Sequence, residues 1–173
     1  MRETKVEKDK VKVPYFFIES YLDNMDCDYF KKKIDEGVKE SSNKSFITNV
    51  KGRMTAWEYF KKDLKFLETI FPVLDYIDVN LNPPKYYLKD AWGVREGWGE
   101  YTSFHNHGNT AYFSGLIYLN DHDSKLEFPE LDKNVIVKKD KVLIFSSFLM
   151  HGTKRNVIKE PKYAIAFNFD YVK

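Results

Sequence analysis

Cysteine is nearly absent: Cys27 is the only one in 173 residues, so no internal disulfide can form and the disulfide-stapled scaffolds of secreted proteins are excluded. Nor does any window approach 18 consecutive apolar residues, and the polar opening MRETKVEKDKVKV has no apolar stretch behind it. Neither a transmembrane helix nor a secretory leader is expected. An excess of one charge is missing too: 28 basic residues face 26 acidic ones, for a net charge of +2, and no long run gathers the bases together. Nucleic acid and membrane surfaces are therefore not indicated as partners. These absences predict an unprocessed protein of a reducing cytoplasm. Aromatic residues are plentiful, with 12 Tyr and 14 Phe in a chain that is 43% hydrophobic and 31% charged, as in folded proteins rich in sheet. The length suits one core, so residues 1–173 are expected to form a single domain.

Past a charged lead-in over residues 1–12, VPYFFIESYL reads as a first strand or buried anchor. LDNMDCDYFKKKIDEGVKESS has an acidic start and places Met25, Tyr29, Phe30 and Ile34 at helical spacing, ending at Gly37 or in the cluster over 41–44. FITNVKGRM reads as loop with a short strand. Tyr59, Phe60, Leu64, Phe66, Leu67 and Ile70 then predict a second helix over Trp57–Phe71, with helical content ending near Asn82-Pro83-Pro84. From Lys85 onward the pattern changes to short runs rich in Val, Ile, Tyr and Phe: YYLKDAW, EYTSFHNH, AYFSGLIYLN, KLEF, NVIVKKDKVLIFSSF and YAIAFNFDYV. A tight hairpin is expected at Lys139-Asp140. Helices followed by a block of strands argue for an α+β, mainly β architecture, with a helical support region over 1–84 packed on an antiparallel sandwich or barrel over 85–173.

Within FHNHGNTAYFSGLIYLN, His105 and His107 stand one residue apart. If this segment is a strand, residues i and i+2 share a face about 6.6 Å apart, and two imidazoles can converge on one ion. His151, after KVLIFSSF, could be placed opposite them by a neighbouring strand. His122, in NDHDSK, reads as solvated, and Asp121 and Asp123 as turn formers. Spacing alone leaves metal ligation and ordinary hydrogen-bonded histidines both open. Three histidines with an open position would suit zinc, whereas iron oxygenases present two histidines and a carboxylate. Alternation sorts the last strand into a bulky face of Tyr163, Ile165, Phe167 and Phe169 and a small, polar face of Lys162, Ala164, Ala166 and Asn168. Periodicity alone favours solvent for the second face; the alternative is a pocket wall with Lys162 pairing an anion. Tyr112, Ser114, Leu116 and Tyr118 share a face that could be core or pocket.

WGVREGWGEYTSFHNHGNTAYFSGLIYLN, then VLIFSSFLMHGTKRN and KYAIAFNFD, resembles the 2-oxoglutarate and Fe(II)-dependent oxygenases, above all small bacterial and phage members with an HxH…H pattern. The resemblance runs from about Trp92 to Asn168, nearly half the chain, and is loose before it, through TNVKGRMTAW. It implies a double-stranded β-helix, or jelly roll, with N-terminal supporting helices. It implies metal ligation by His105, His107 and His151, with His107 standing where most of the superfamily has Asp or Glu. Lys162, eleven residues after His151, would bind the distal carboxylate of 2-oxoglutarate. Tyr118 would help, and Tyr101, sharing strand parity with His105, is a further cosubstrate-binding candidate. The implied cofactors are Fe(II), 2-oxoglutarate and O2, with ascorbate as an accessory reductant. The implied reaction hydroxylates a C–H bond of a small-molecule or peptidyl substrate with release of succinate and CO2. Trp92, Trp98 and Tyr112 are candidates for the substrate entrance. A phage-encoded member would act in a host cytoplasm.

Two rivals remain. A metal cupin shares Gly99 followed by His105-x-His107, but the glutamate expected next falls on Ala111 or Tyr112, and the proline and glycine expected before the distal histidine are missing. A non-catalytic jelly-roll binding module would hold a structural ion or none.

Overall fold

The apolar periodicities resolve into two helices and nine strands among residues 13–41 and 48–172, the part that the computed structural model describes. The lead-in over 1–12, residues 42–44 of the expected helix end, and Phe46 and Ile47 of FITNVKGRM lie outside it. In order, the elements are β1 (Phe17–Tyr21), α1 (Cys27–Glu40), β2 (Arg53–Met54), α2 (Leu64–Leu81), β3 (Tyr86–Glu96), β4 (Phe113–Tyr118), β5 (His122–Phe128), β6 (Lys133–Val137), β7 (Lys141–Ser146), β8 (Gly152–Thr153) and β9 (Lys162–Tyr171). No described helix is long and apolar enough to cross a membrane.

Helix α1 starts where Asp26 accepts a hydrogen bond from the Tyr29 N–H, at 3.0 Å, satisfying one of the donors that a helix start leaves over. It buries Cys27, Phe30, Ile34 and Gly37 as one stripe and runs past Gly37 to a cap at Ser41. The second helix begins at Leu64 rather than Trp57, with Asp63 capping Phe66. Tertiary bonds outweigh local propensity in the residues before it: the Trp57 carbonyl accepts from Ala91 N–H, and Phe60 N–H donates to the Ala91 carbonyl, holding this stretch as a turn against β3. The helix continues through Pro72 and stops at Asn82, which takes a left-handed conformation ahead of Pro83 and Pro84.

The strands form two antiparallel sheets, one of six in the order β1-β7-β4-β9-β3-β2 and one of three in the order β6-β5-β8. Alternation assigns the faces of the larger sheet. Ile165, Phe167 and Phe169 of β9, with Ile117 and Ile144, join Phe30, Ile34, Phe66 and Ile70 of the helices in one core. Tyr118, Leu143, Phe145 and Ala164 point the other way and meet Leu126, Phe128, Val135 and Val137 of the smaller sheet. This is the expected jelly roll with helical support on one face.

Two further sequence expectations change among the strands. Lys139-Asp140 does turn, with Asp140 at φ 64° and Lys141 N–H bonded to the Lys138 carbonyl, but β6 and β7 belong to different sheets. The turn is a corner between sheets and not a hairpin. EYTSFHNH is not a strand either: residues 97–112 are turns and isolated bridges, Val50 with Thr102 and His105 with His151.

Candidate functional site

The histidines meet although their strand does not exist. His105 and His151 exchange both backbone hydrogen bonds, at 3.0 and 2.9 Å, and His107 N–H donates to the Ser147 carbonyl at 2.7 Å. These bonds clip the loop before β4 to the end of β7. The consequence is that the ligand atoms of His105, His107 and His151 all lie within 4.8 Å of one another. Their rings are 4.4 to 5.4 Å apart between centroids. Behind them, Phe145 packs on the His151 ring at 4.9 Å. Asp121 and Asp123 are exposed and stand apart from the group, and Glu100 accepts from Gly97 N–H within its own loop.

The donor set fits a transition metal. Burial holds all three imidazoles below their ordinary value, His107 at about 4 and His151 at about 3, so they are neutral and have a lone pair to give. Nδ1 of His105 lies 2.8 Å from the Ser103 carbonyl, and Nδ1 of His151 lies 2.9 Å from that of Leu149. A carbonyl can only accept, so Nδ1 carries the proton and Nε2 is the free ligand atom in both rings.

The histidines line a cleft between the sheets of about 570 Å³, counting its mouth. The small, polar face of β9 forms its floor: Lys162, Ala164, Ala166 and Asn168 are all buried and all line the cleft, so the solvent reading of this face does not hold. The smaller sheet and the histidine loops cover a face that periodicity alone would have left open. At one end Asn168 bridges its neighbours, accepting from Ser114 Oγ at 2.6 Å and donating to Asp90 at 2.8 Å. At the other end Lys162 Nζ lies 2.6 Å from Glu96 Oε2. Between them, Tyr118 Oη and Trp92 Nε1 are buried against the cleft without a hydrogen-bond partner among the described residues. Isolation of this kind is uncommon for a buried donor, and both fit a ligand that brings acceptors.

Other candidates fall elsewhere. Tyr101 does not line the cleft; its ring lies under the Arg155 guanidinium, 5.1 Å away, because the parity argument assumed a strand. Trp92 lines the cleft, whereas Trp98 is 73% exposed outside it, and Tyr112 packs with the helix-side core. His122 is buried, not solvated, between Ser124 Oγ and the Glu160 carbonyl. Sequence reasoning missed Glu96 and its neighbours Thr102 and Thr153. The available signal was weak: Glu96 shares β3 parity with Trp92 and Val94, an acid at the end of an apolar face.

No family model and no curated protein matches this chain. Solved structures do. A viral collagen prolyl hydroxylase, vCPH, from Paramecium bursaria Chlorella virus-1 in complex with 2-oxoglutarate superposes with a TM-score of 0.71 at 16% identity, over 91% of this chain and 96% of that one. HygX from Streptomyces hygroscopicus, with nickel, 2-oxoglutarate and hygromycin B bound, gives 0.67 at 14% identity over 91% and 83%. A Pseudomonas putida prolyl-4-hydroxylase gives 0.68 at 11% identity over 91% and 93%. With two facing sheets, helices behind the larger one and a histidine cluster between the sheets, the chain has the double-stranded β-helix fold of the 2-oxoglutarate-dependent oxygenases.

Proposed function

We propose that residues 1–173 act as one Fe(II)- and 2-oxoglutarate-dependent dioxygenase domain that hydroxylates a C–H bond of a small-molecule or peptidyl substrate in the cytoplasm. The observation that supports this most is the convergence of His105, His107 and His151 within 4.8 Å at a cleft that also holds Lys162 and Tyr118. The same fold carries 2-oxoglutarate in vCPH and in HygX. In this reading His105 and His151 present Nε2 to the metal, and His107 completes the face as a third neutral ligand. With no carboxylate in the set, the ligands leave the full charge of the ion uncompensated, which favours an anionic cosubstrate beside it. Lys162 and Tyr118 would donate to the distal carboxylate of that cosubstrate. Bound Fe(II) and 2-oxoglutarate supply O2 activation coupled to decarboxylation to succinate. Trp92, Leu116 and Phe145 contribute apolar walls that keep bulk water from the reacting groups. Tyr101 has no part in this arrangement.

The test is anaerobic reconstitution with Fe(II). Addition of 2-oxoglutarate should produce a weak metal-to-ligand charge-transfer band, and admission of air should release succinate. Absence of both above the background of the His151→Ala variant would refute the oxygenase reading.

A further inference from the structure

Lys162 is already occupied. It lies directly across from Glu96 in the β3–β9 register, and the two side chains, 5% and 2% exposed, are 2.6 Å apart. Glu96 is held from other sides as well. Thr102 Oγ1 donates to Oε1 at 2.5 Å, Thr153 Oγ1 reaches Oε2 at 3.4 Å, and Asn156 Nδ2 donates to the Glu96 carbonyl at 3.2 Å. The carboxylate cannot turn away without leaving the two threonine hydroxyls unpaired. Among the described residues, Lys162 is also the only Lys or Arg lining the cleft.

We propose that Glu96 is a specificity-determining residue: a resident carboxylate that shares Lys162 with the cosubstrate and makes the deep end of the cleft electrically neutral. The inference rests on the reading of the cleft as a 2-oxo acid site. An ammonium has three donors and can serve two carboxylates. Bringing a second carboxylate beside a fixed first one, however, gathers two like charges around one cation where water is excluded. The gain from Lys162 is then largely offset by repulsion from Glu96, and Tyr118 Oη supplies a neutral donor indifferent to that balance. The wild-type cleft should therefore bind 2-oxo acids with little preference for negative charge at their far end.

The experiment compares 2-oxoglutarate with 2-oxopentanoate, which has the same chain length and a methyl group in place of the distal carboxylate. Binding to the Co(II)-loaded full chain is followed by calorimetry. In the wild-type protein the two dissociation constants should lie within about tenfold, the least preference that an unshared charge-assisted bond would confer. Glu96→Gln keeps the shape and frees the charge of Lys162. It should tighten 2-oxoglutarate by about tenfold or more, the usual effect of one neighbouring unit charge on a buried carboxylate, and leave 2-oxopentanoate within about twofold. A wild-type preference for 2-oxoglutarate above about tenfold, or a Glu96→Gln effect equal for both acids, overturns the proposal. If the variant fails to bind Co(II), the wild-type comparison decides alone. Binding of neither acid by the Co(II) protein overturns the cosubstrate reading and this inference with it.

Discussion

Lys162→Met removes the ammonium 2.6 Å from Glu96 Oε2 and leaves a carboxylate that is 2% exposed facing an apolar side chain of similar length. The two threonine hydroxyls still hold the Glu96 carboxylate, so it stays in the cleft as an uncompensated charge. Breaking a buried pair from one side typically destabilises by about 3–5 kcal/mol, whereas removing both charges together is often close to neutral. Because these two side chains are nearly inaccessible, the full range applies rather than the small value of a surface pair. At roughly 2–4 °C per kcal/mol for a chain of this size, the melting temperature should fall by about 6–20 °C. The double variant Lys162→Met, Glu96→Gln should recover most of that loss, giving a coupling of at least about 2 kcal/mol in a double-mutant cycle. Urea denaturation of the metal-free protein, followed by circular dichroism and tryptophan fluorescence, measures all four corners. A Lys162→Met loss below about 1 kcal/mol, or a double variant no more stable than the single one, would show that the charges are solvated and the reasoning wrong.

Further outcomes follow from other parts of the fold. His151→Ala removes the most buried member of the proposed ligand set and should weaken Co(II) binding by more than about 100-fold, beyond what loss of an outer partner does, as read by metal titration. Tyr118→Phe deletes a buried hydroxyl with no partner, so thermal stability should hold or rise while 2-oxoglutarate binding weakens by about fivefold or more; a clear loss of stability would refute the view that this hydroxyl awaits a ligand. Metal-free protein should lose stability in acid. Unfolded imidazoles take up protons near 6.5, whereas burial holds folded His107 at about 4 and His151 at about 3. The unfolded state thus binds more protons in this window, and stability present above about pH 6.5 is lost progressively toward about pH 3. Denaturation midpoints that stay flat between these limits would contradict it. Finally, a Cβ at Gly93 would run into the Ile34 side chain, so Gly93→Ala should push α1 off β3 and destabilise by about 1–3 kcal/mol in the same urea assay.

What could be read from the sequence was mostly what depends on near neighbours. The acidic start at Asp26 caps the first helix, and Asn82 with two prolines stops the second, because those features span only a few residues; the start of the second helix at Asp63 was missed because bonds from β3 hold the residues before it. The two faces of β9 were sorted correctly by alternation, but alternation says which residues share a face and not what lies opposite. The solvent reading of Lys162, Ala164, Ala166 and Asn168 failed for that reason. His122 was misread in the same way: its local context is polar, and the carbonyl that encloses it comes from Glu160, distant in sequence. The clustering of the three histidines was legible through the motif resemblance, since spacing alone left it open and the assumed strand was wrong. A reciprocal bridge between His105 and His151 does the work that strand parity was expected to do, and Tyr101, which depended on parity alone, dropped out.

Glu96 marks the boundary of this kind of reading. Its identity was visible in GVREG, but its meaning depends on the β3–β9 register that sets it opposite Lys162 and on the loop clips that bring Thr102 and Thr153 to it. A lysine that opens the last strand reads from sequence either as a solvent-facing residue or as a cation awaiting an anion. With its register known it becomes half of an ion pair, and on the inference above the cleft's preference among 2-oxo acids would be set by a residue more than sixty positions upstream of the lysine. Charge selectivity of this kind would be a property of strand pairing, which is why composition and motif spacing, both blind to pairing, single out the cation without the carboxylate opposite it.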